Sequence, residues 1–222
     1  MSQSYRYRLL KSSRQTGRVP WKRPQPCDRG EILRQVLINA HYEKHVDELI
    51  ELASRFAAAL SKAGIEYRIV GGLGVYLHVN EVDPIAARLT RDIDAAVSRA
   101  DMERIAQAVK PFGLEFRHAA GVDMLVDAEQ PSARRAVHLV CVREKVRPEY
   151  AEPVPGFSEA PAIHGLLVAP VADLVRMKLT SFRLKDRVHI QDLDGVGLIT
   201  PEIEAQLPDL LRQRLAEVRA SD

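Results

Sequence analysis

The chain has 222 residues, 46% hydrophobic and 28% charged, with a formal net charge of +2, enough to bury one principal core with appendages. No run approaches the ~18 consecutive apolar residues of a membrane span, and Leu9 and Leu10 are too short an apolar centre between Arg6, Arg8 and Lys11 for a secretion signal, so a cytoplasmic protein with no membrane partner is expected. Cys27 and Cys141 stand alone, one in a basic leader and one in an apolar run, which excludes a disulfide framework and a CxxC metal site.

Charge is unevenly spread. Residues 1 to 35 hold nine Lys or Arg against Asp28 and Glu31, a net +7, which leaves the other 187 residues at −5. With Pro20, Pro24 and Pro26 and little to bury, residues 1–43 read as a basic, extended arm. Such an arm can touch nucleic acid phosphates, or it can be a solvated tail lying on its own acidic domain or on a partner subunit.

From His45 to Ala63, apolar Val46, Leu49, Ile50, Ala53, Phe56, Ala57 and Leu60 recur at helical spacing, and Gly64 is the stop. Ile65 to Val70 reads as a strand, Gly71 opens a helix of about two turns, and Asn80 to Ala87 is a loop around Pro84. The strand of Asp92 to Val97 follows. Asp101 can cap a helix carrying Met102, Ile105, Ala106 and Val109, ended by Pro111 and Gly113. Three strands come next, Leu114 to Ala119, Val122 to Val126 and Ala136 to Val142. Residues 148–161 carry four prolines and read as a loop. Gly165 to Ala169 reads as a strand, Pro170 starts a helix, and the tail from Pro201 is helical, interrupted at Pro208, with Leu210, Leu211, Leu215 and Val218 on one side. Strands and helices alternate without one strict period, so the expected class is α/β or α+β, a mixed sheet flanked by helices, with a domain over 44–200 and a C-terminal helical tail over 201–222.

Three features carry chemistry. Gly71 and Gly72 leave a strand for a helix, where backbone N–H groups can approach an anion unobstructed; a tight turn would use them equally well. Asp92 and Asp94 project from one face of a strand, roughly 6.6 Å apart along the chain. Paired carboxylates repel unless a cation lies between them, and a hard ion such as Mg2+ suits them; surface pairs with Arg88 or Arg91 are the plain alternative. Lys178 falls within the apolar stripe of Val171, Leu174, Val175, Leu179 and Phe182, where it needs an anion: a buried salt bridge, or a phosphate in a cleft beside the Asp pair.

Taken together, Gly71-Gly72, then Arg88-Leu-Thr-Arg-Asp92-Ile-Asp94, then a strand, then Met177-Lys178-Leu179 and Arg183-Leu-Lys185-Asp186-Arg187 leading to Asp192, resemble the nucleotidyltransferase superfamily. Within it the likeness is to AbiEii-type proteins related to toxins of type IV toxin–antitoxin systems, over roughly Val46 to Ile199. The resemblance implies a nucleotidyltransferase-like fold and transfer of a nucleoside monophosphate from an NTP to an acceptor hydroxyl. It implies that Gly71, Gly72, Thr90, Lys178 and Asp192 bind the nucleotide, and that Asp92 and Asp94 hold Mg2+ or Mn2+ and act in catalysis. An RNA, protein or small-molecule acceptor and a cognate antitoxin are the partners it suggests. Where the superfamily supplies a third carboxylate, this chain aligns His138, which suits transition metals better than Mg2+; Asp123 or Asp127 on the preceding strand could compensate. Three functions stay open: an active transferase, a chemically impaired nucleotide or protein binder on the same fold, and a nucleic-acid-binding module led by the arm.

Overall fold

A computed structural model describes residues 29–88, 90–132 and 136–221, with side chains of the first helix from Val46 onward. The chain divides into two units, Met1–Ala40 and His41–Asp222. Residues 1–28 of the basic arm lie outside the described residues, and the part of the first unit that is described, 29–40, is helical.

In chain order the elements are α1 (Arg29–Lys62), β1 (Tyr67–Val70), α2 (Gly71–Val82), β2 (Ile93–Val97), α3 (Met102–Ala108), β3 (Leu114–Ala119), β4 (Val122–Asp127), β5 (Ala136–Cys141), β6 (Ala162–Ile163), β7 (Leu166–Leu167), α4 (Val171–Ser181), α5 (Leu184–Gly195), α6 (Pro201–Ala205) and α7 (Asp209–Ala220). Five strands form one mixed sheet in the order β1-β2-β5-β4-β3, in which β2 and β5 are parallel and every other neighbouring pair is antiparallel. The expected mixed sheet flanked by helices is therefore present.

Alternation along the strands sorts side chains between two apolar layers. Tyr67 and Ile69 of β1, Ile93, Ala95 and Val97 of β2, and Val137 and Leu139 of β5 pack with Leu49, Phe56 and Leu60 of α1. Val70 and Ala96 pack on the opposite side with Leu174 and Leu179 of α4, Ile190 and Leu193 of α5, and Leu211, Leu215 and Val218 of α7. Asp94 and His138 have the parity of Ala96 and Val140, so both face the α4–α5 layer.

Several boundaries differ from the sequence reading. Helix α1 starts at Arg29 rather than His45, since no Gly or Pro interrupts residues 31–63. Helix α2 runs through Val82 and stops at Asp83, which is extended (φ −144°, ψ 98°) as the residue before a proline prefers. Within the strand expected over 165–169 only Leu166–Leu167 is β7, which forms a short hairpin with β6 just before it, and Val168 is bridged in parallel to Ile69. Phe182 adopts a left-handed conformation (φ 48°) that ends α4, and a separate helix, α5, follows where no element was expected. Leu210 is 44% exposed, leaving Leu211, Leu215 and Val218 at i, i+4 and i+7 as the buried stripe of α7.

Candidate active site

The registers bring the candidate residues to one end of the sheet. Val70, the last residue of β1, pairs with Asp94, Asp94 pairs with His138, and His138 pairs with Met124. Directly opposed residues share a face, so the row across β2, β5 and β4 reads carboxylate, imidazole, thioether. Asp123 and Asp127 have the other parity. Asp123 bonds His118 at 2.6 Å and Asp127 bonds Arg55 of α1 at 2.7 Å, so both belong to the α1 face and neither can supply the carboxylate that His138 replaces. A cavity of about 180 Å3 on that face, lined by Glu48, Glu51, Arg55 and Asp127 among others, contains none of the Asp92, Asp94 or His138 groups.

Chain reversal at Gly71 depends on the missing side chain. Gly71 has φ +68°, and a Cβ there would stand 2.0 Å from Asp94 Oδ2; a Cβ on Gly72 would stand 2.5 Å from Thr90 Oγ1 and 3.4 Å from His189 Cε1. The glycine pair therefore lies directly against Asp94, Thr90 and His189. Helix α2 begins there with no side-chain cap and no acidic residue in its first turn, so the positive end of its dipole is turned to the Asp94 end of the sheet.

Thr90 shapes the approach to β2: the Asp92 N–H donates to Thr90 Oγ1 at 3.3 Å. Asp92 itself precedes the strand, and its Oδ2 is 3.6 Å from Lys185 Nζ, both half-exposed, a contact worth little to stability. Asp94 Oδ1 is 3.7 Å from His138 Nδ1, with the two side chains 32% and 24% exposed. Asp192 turns to Arg88, 2.9 Å away; burial raises the Asp192 carboxyl pKa and Arg88 opposes the rise.

Lys178 of α4 is buried and its Nζ lies 3.1 Å from Asp186 Oδ1. Asp186 also accepts from Ser181 Oγ at 2.8 Å and from Arg183 Nε at 2.7 Å. Burial alone would raise this carboxyl, but Arg183, Lys178 and Ser181 together bring it down to about 2. For Lys178 burial dominates and draws the ammonium pKa down, against the pull of Asp186 and, further off, Asp94. The difference follows from the partners: the carboxylate accepts from three residues, Lys178, Ser181 and Arg183, while the ammonium bonds one acid. Of the two readings of Lys178, its direct contact is thus the buried salt bridge, placed within the electrostatic reach of Asp94.

Asp186 and His189 escaped sequence reasoning. Once α5 is recognised, Asp186, His189 and Asp192 follow at i, i+3 and i+6 and share one side of the helix, which was the available signal. Among the described residues no group of three or more His, Cys, Asp or Glu side chains is placed to hold a metal ion. Mg2+ commonly takes only one or two carboxylates and completes its shell with water and substrate phosphate, so a site built on two acids needs no third side chain.

No protein-family model matches the chain, and no curated protein sequence matches it. Several solved structures are similar to it. The solution structure of the antibiotic-resistance factor ANT(2'')-Ia covers 77% of this chain and 82% of its own at 12% identity and a TM-score of 0.43. The crystal structure of ANT(2'')-Ia in complex with adenylyl-2''-tobramycin covers 76% and 95% at 13% identity and a TM-score of 0.43. An antigenic nucleotidyltransferase-like protein from Paracoccidioides brasiliensis covers 79% and 88% at 21% identity and a TM-score of 0.48. At these identities and scores no feature of the site follows from them.

Proposed function

We propose that the chain is a cytoplasmic, metal-dependent nucleotidyltransferase of the AbiEii type that moves an NMP from an NTP to an acceptor hydroxyl on RNA, protein or a small molecule. The observation that carries this reading is the meeting of the uncapped α2 N-terminus at Gly71-Gly72 with Asp94 and His138 on one sheet end. Backbone N–H groups of the first turn of α2 receive phosphate oxygens. Arg183 and Lys185 stand on the α5 side as charged donors, Lys178 contributes its field from behind Asp186, and Asp192 holds Arg88 at 2.9 Å. Asp92 and Asp94 would hold Mg2+ or Mn2+, which when bound neutralises phosphate charge and polarises the phosphoryl group. In the displacement the acceptor oxygen bonds to the α-phosphorus, the bond to the bridging oxygen breaks, and pyrophosphate leaves. An unprotonated His138 is the group beside Asp94 that can take the acceptor proton.

The test is to incubate the protein with each α-labelled NTP, Mg2+ or Mn2+, and total RNA or cell lysate, and to ask what becomes labelled. A label on RNA, on a protein or on the chain itself names the acceptor class, and suppression by a co-expressed neighbouring gene product would identify an antitoxin. Asp92→Asn with Asp94→Asn is expected to abolish label transfer and metal-dependent NTP binding while leaving the melting temperature unchanged or raised, because removing like charges relieves repulsion in the metal-free protein. Unchanged metal dependence in that double mutant would make the pair structural.

A second reading is favoured by the row itself, in which the carboxylate is followed by His138 and Met124. Here the fold binds a nucleotide or a protein partner without transferring. His138→Asp decides between the two: if the imidazole is what limits the chemistry, the variant should gain Mg2+-supported transfer over the wild type by restoring an all-oxygen donor set. Tight NTP binding with no transfer from either protein would establish the impaired reading.

A further inference from the structure

We infer that His189 is a phosphate-reading residue of this cleft, its Nδ1–H donating to a phosphate oxygen seated at the start of α2. The inference rests on the proposed nucleotide site and deepens it, adding a group that reads phosphate by hydrogen bonding rather than by charge.

His189 Nδ1 is buried and has no hydrogen-bond partner. Folded proteins rarely leave a buried polar atom unmet, since its lost hydration is then uncompensated. Cε1, bonded to both ring nitrogens, comes within 3.4 Å of the position a Gly72 Cβ would take, so the edge of the ring turned to the glycine pair is the one that carries its two nitrogens, Nδ1 among them. Gly72 is the second residue of α2, whose first turn lacks a side-chain cap. Thr90 Oγ1 closes the other side of the same space, 2.5 Å from that position. A side chain at position 72 would collide with Thr90 and press on His189; glycine lets the uncapped helix start, Thr90 and the ring edge come close together.

The groups around the ring point the same way. Lys178 comes from α4, Arg183 from the turn before α5, and Lys185 and Asp186 from α5 itself. Burial, with the three cations acting against Asp186, lowers the imidazole pKa to about 4, so the ring is neutral near pH 7 and offers one N–H and one lone pair. Lys178 and Arg183 are already bonded to Asp186, and Lys185 faces Asp92. His189 is the member of this group whose buried polar atom is uncommitted. The tautomer protonated at Nδ1 suits an anion, whereas the opposite tautomer would set a lone pair against it.

The test is calorimetric titration of inorganic tripolyphosphate and of ATP into the wild-type chain and into His189→Asn, His189→Gln and His189→Phe. An Asn amide nitrogen can stand where Nδ1 stands, Gln reaches the place of Nε2, and Phe keeps only the ring. His189→Asn should bind both ligands within about threefold of wild type, while His189→Gln and His189→Phe should lose roughly tenfold or more, as expected for one hydrogen bond to a charged group. The loss should be equal for tripolyphosphate and ATP, because the contact is to phosphate. In 15N-histidine-labelled protein, tripolyphosphate should shift the His189 Nδ1 resonance. If His189→Phe binds like wild type, or if Asn, Gln and Phe all lose affinity equally, His189 is a packing residue and the inference falls while the nucleotide reading stands. If the wild type binds neither ligand, both fall. Should His189→Phe not fold, the contrast between Asn and Gln decides.

Discussion

Gly71→Ala is expected to eliminate nucleotide binding and to lower the melting temperature. Two independent costs act at this position. The backbone sits at φ +68°, where a side chain costs about 1 to 2 kcal/mol through collision of Cβ with its own carbonyl. The added methyl would also stand 2.0 Å from Asp94 Oδ2 and 2.8 Å from Asp94 Cβ and Cγ, too close for any side chain to tolerate. Either the strand ends separate or Asp94 rotates away from His138, and both outcomes dismantle the site. Calorimetric titration with an NTP measures the first consequence and a circular-dichroism melt the second. Combining Gly71→Ala with Asp94→Gly should recover the stability lost to the collision, keep the left-handed backbone cost, and stay unable to bind. Wild-type affinity in Gly71→Ala would show that the glycine is a turn residue and that the cleft lies elsewhere.

Asp186→Asn should be the most destabilising substitution in the α4–α5 layer, by about 3 to 5 kcal/mol, because it leaves the buried Lys178 ammonium without its carboxylate. For a unit of this size that corresponds to a fall in melting temperature on the order of 10 °C. Replacing both partners by apolar residues, Lys178→Met with Asp186→Leu, should restore most of the loss, since it removes the unpaired charge and fills the same space. A loss below about 1 kcal/mol in Asp186→Asn would show that the pair is not what joins α4 to α5. The same carboxyl sets an acid limit. It titrates near 2 in the folded chain against 3.8 for the unperturbed group, so its contribution is complete above about pH 4 and is lost as the pH falls through about 2. The difference amounts to about 2 kcal/mol, and Asp186→Asn should flatten the acid limb of the stability curve by that amount.

The contrast between Asp94 and Lys178 shows how far each kind of reasoning reaches. Asp94 and the glycine pair were legible because strand alternation and a glycine-led helix start are local patterns, His138 only through the resemblance to the nucleotidyltransferase pattern, and the sheet registers then set them side by side. Lys178 was legible as an anomaly in an apolar stripe, but both answers to that anomaly stayed open, since its partner lies eight residues on, across a chain reversal at Phe182. No glycine or proline marks that reversal, so α5 was missed, and with it Asp186 and His189. The compensation expected from Asp123 and Asp127 failed for a related reason: pairing register assigned both to the α1 face, and register is a property of the assembled sheet rather than of one strand.

Composition, periodicity and turn residues by themselves determined the class of fold, most element positions, and the coincidence of a glycine-led helix start with two acids at the beginning of the following strand. These are short-range consequences of steric preference and amphipathic spacing, written in consecutive residues. Tertiary structure alone decided which acids share a face with the imidazole of His138, which anion meets Lys178, and that Gly71 has no Cβ because Asp94 occupies its place. Those are contacts between segments distant in sequence, whose geometry arises only when the sheet and the α4–α5 layer close on a common core.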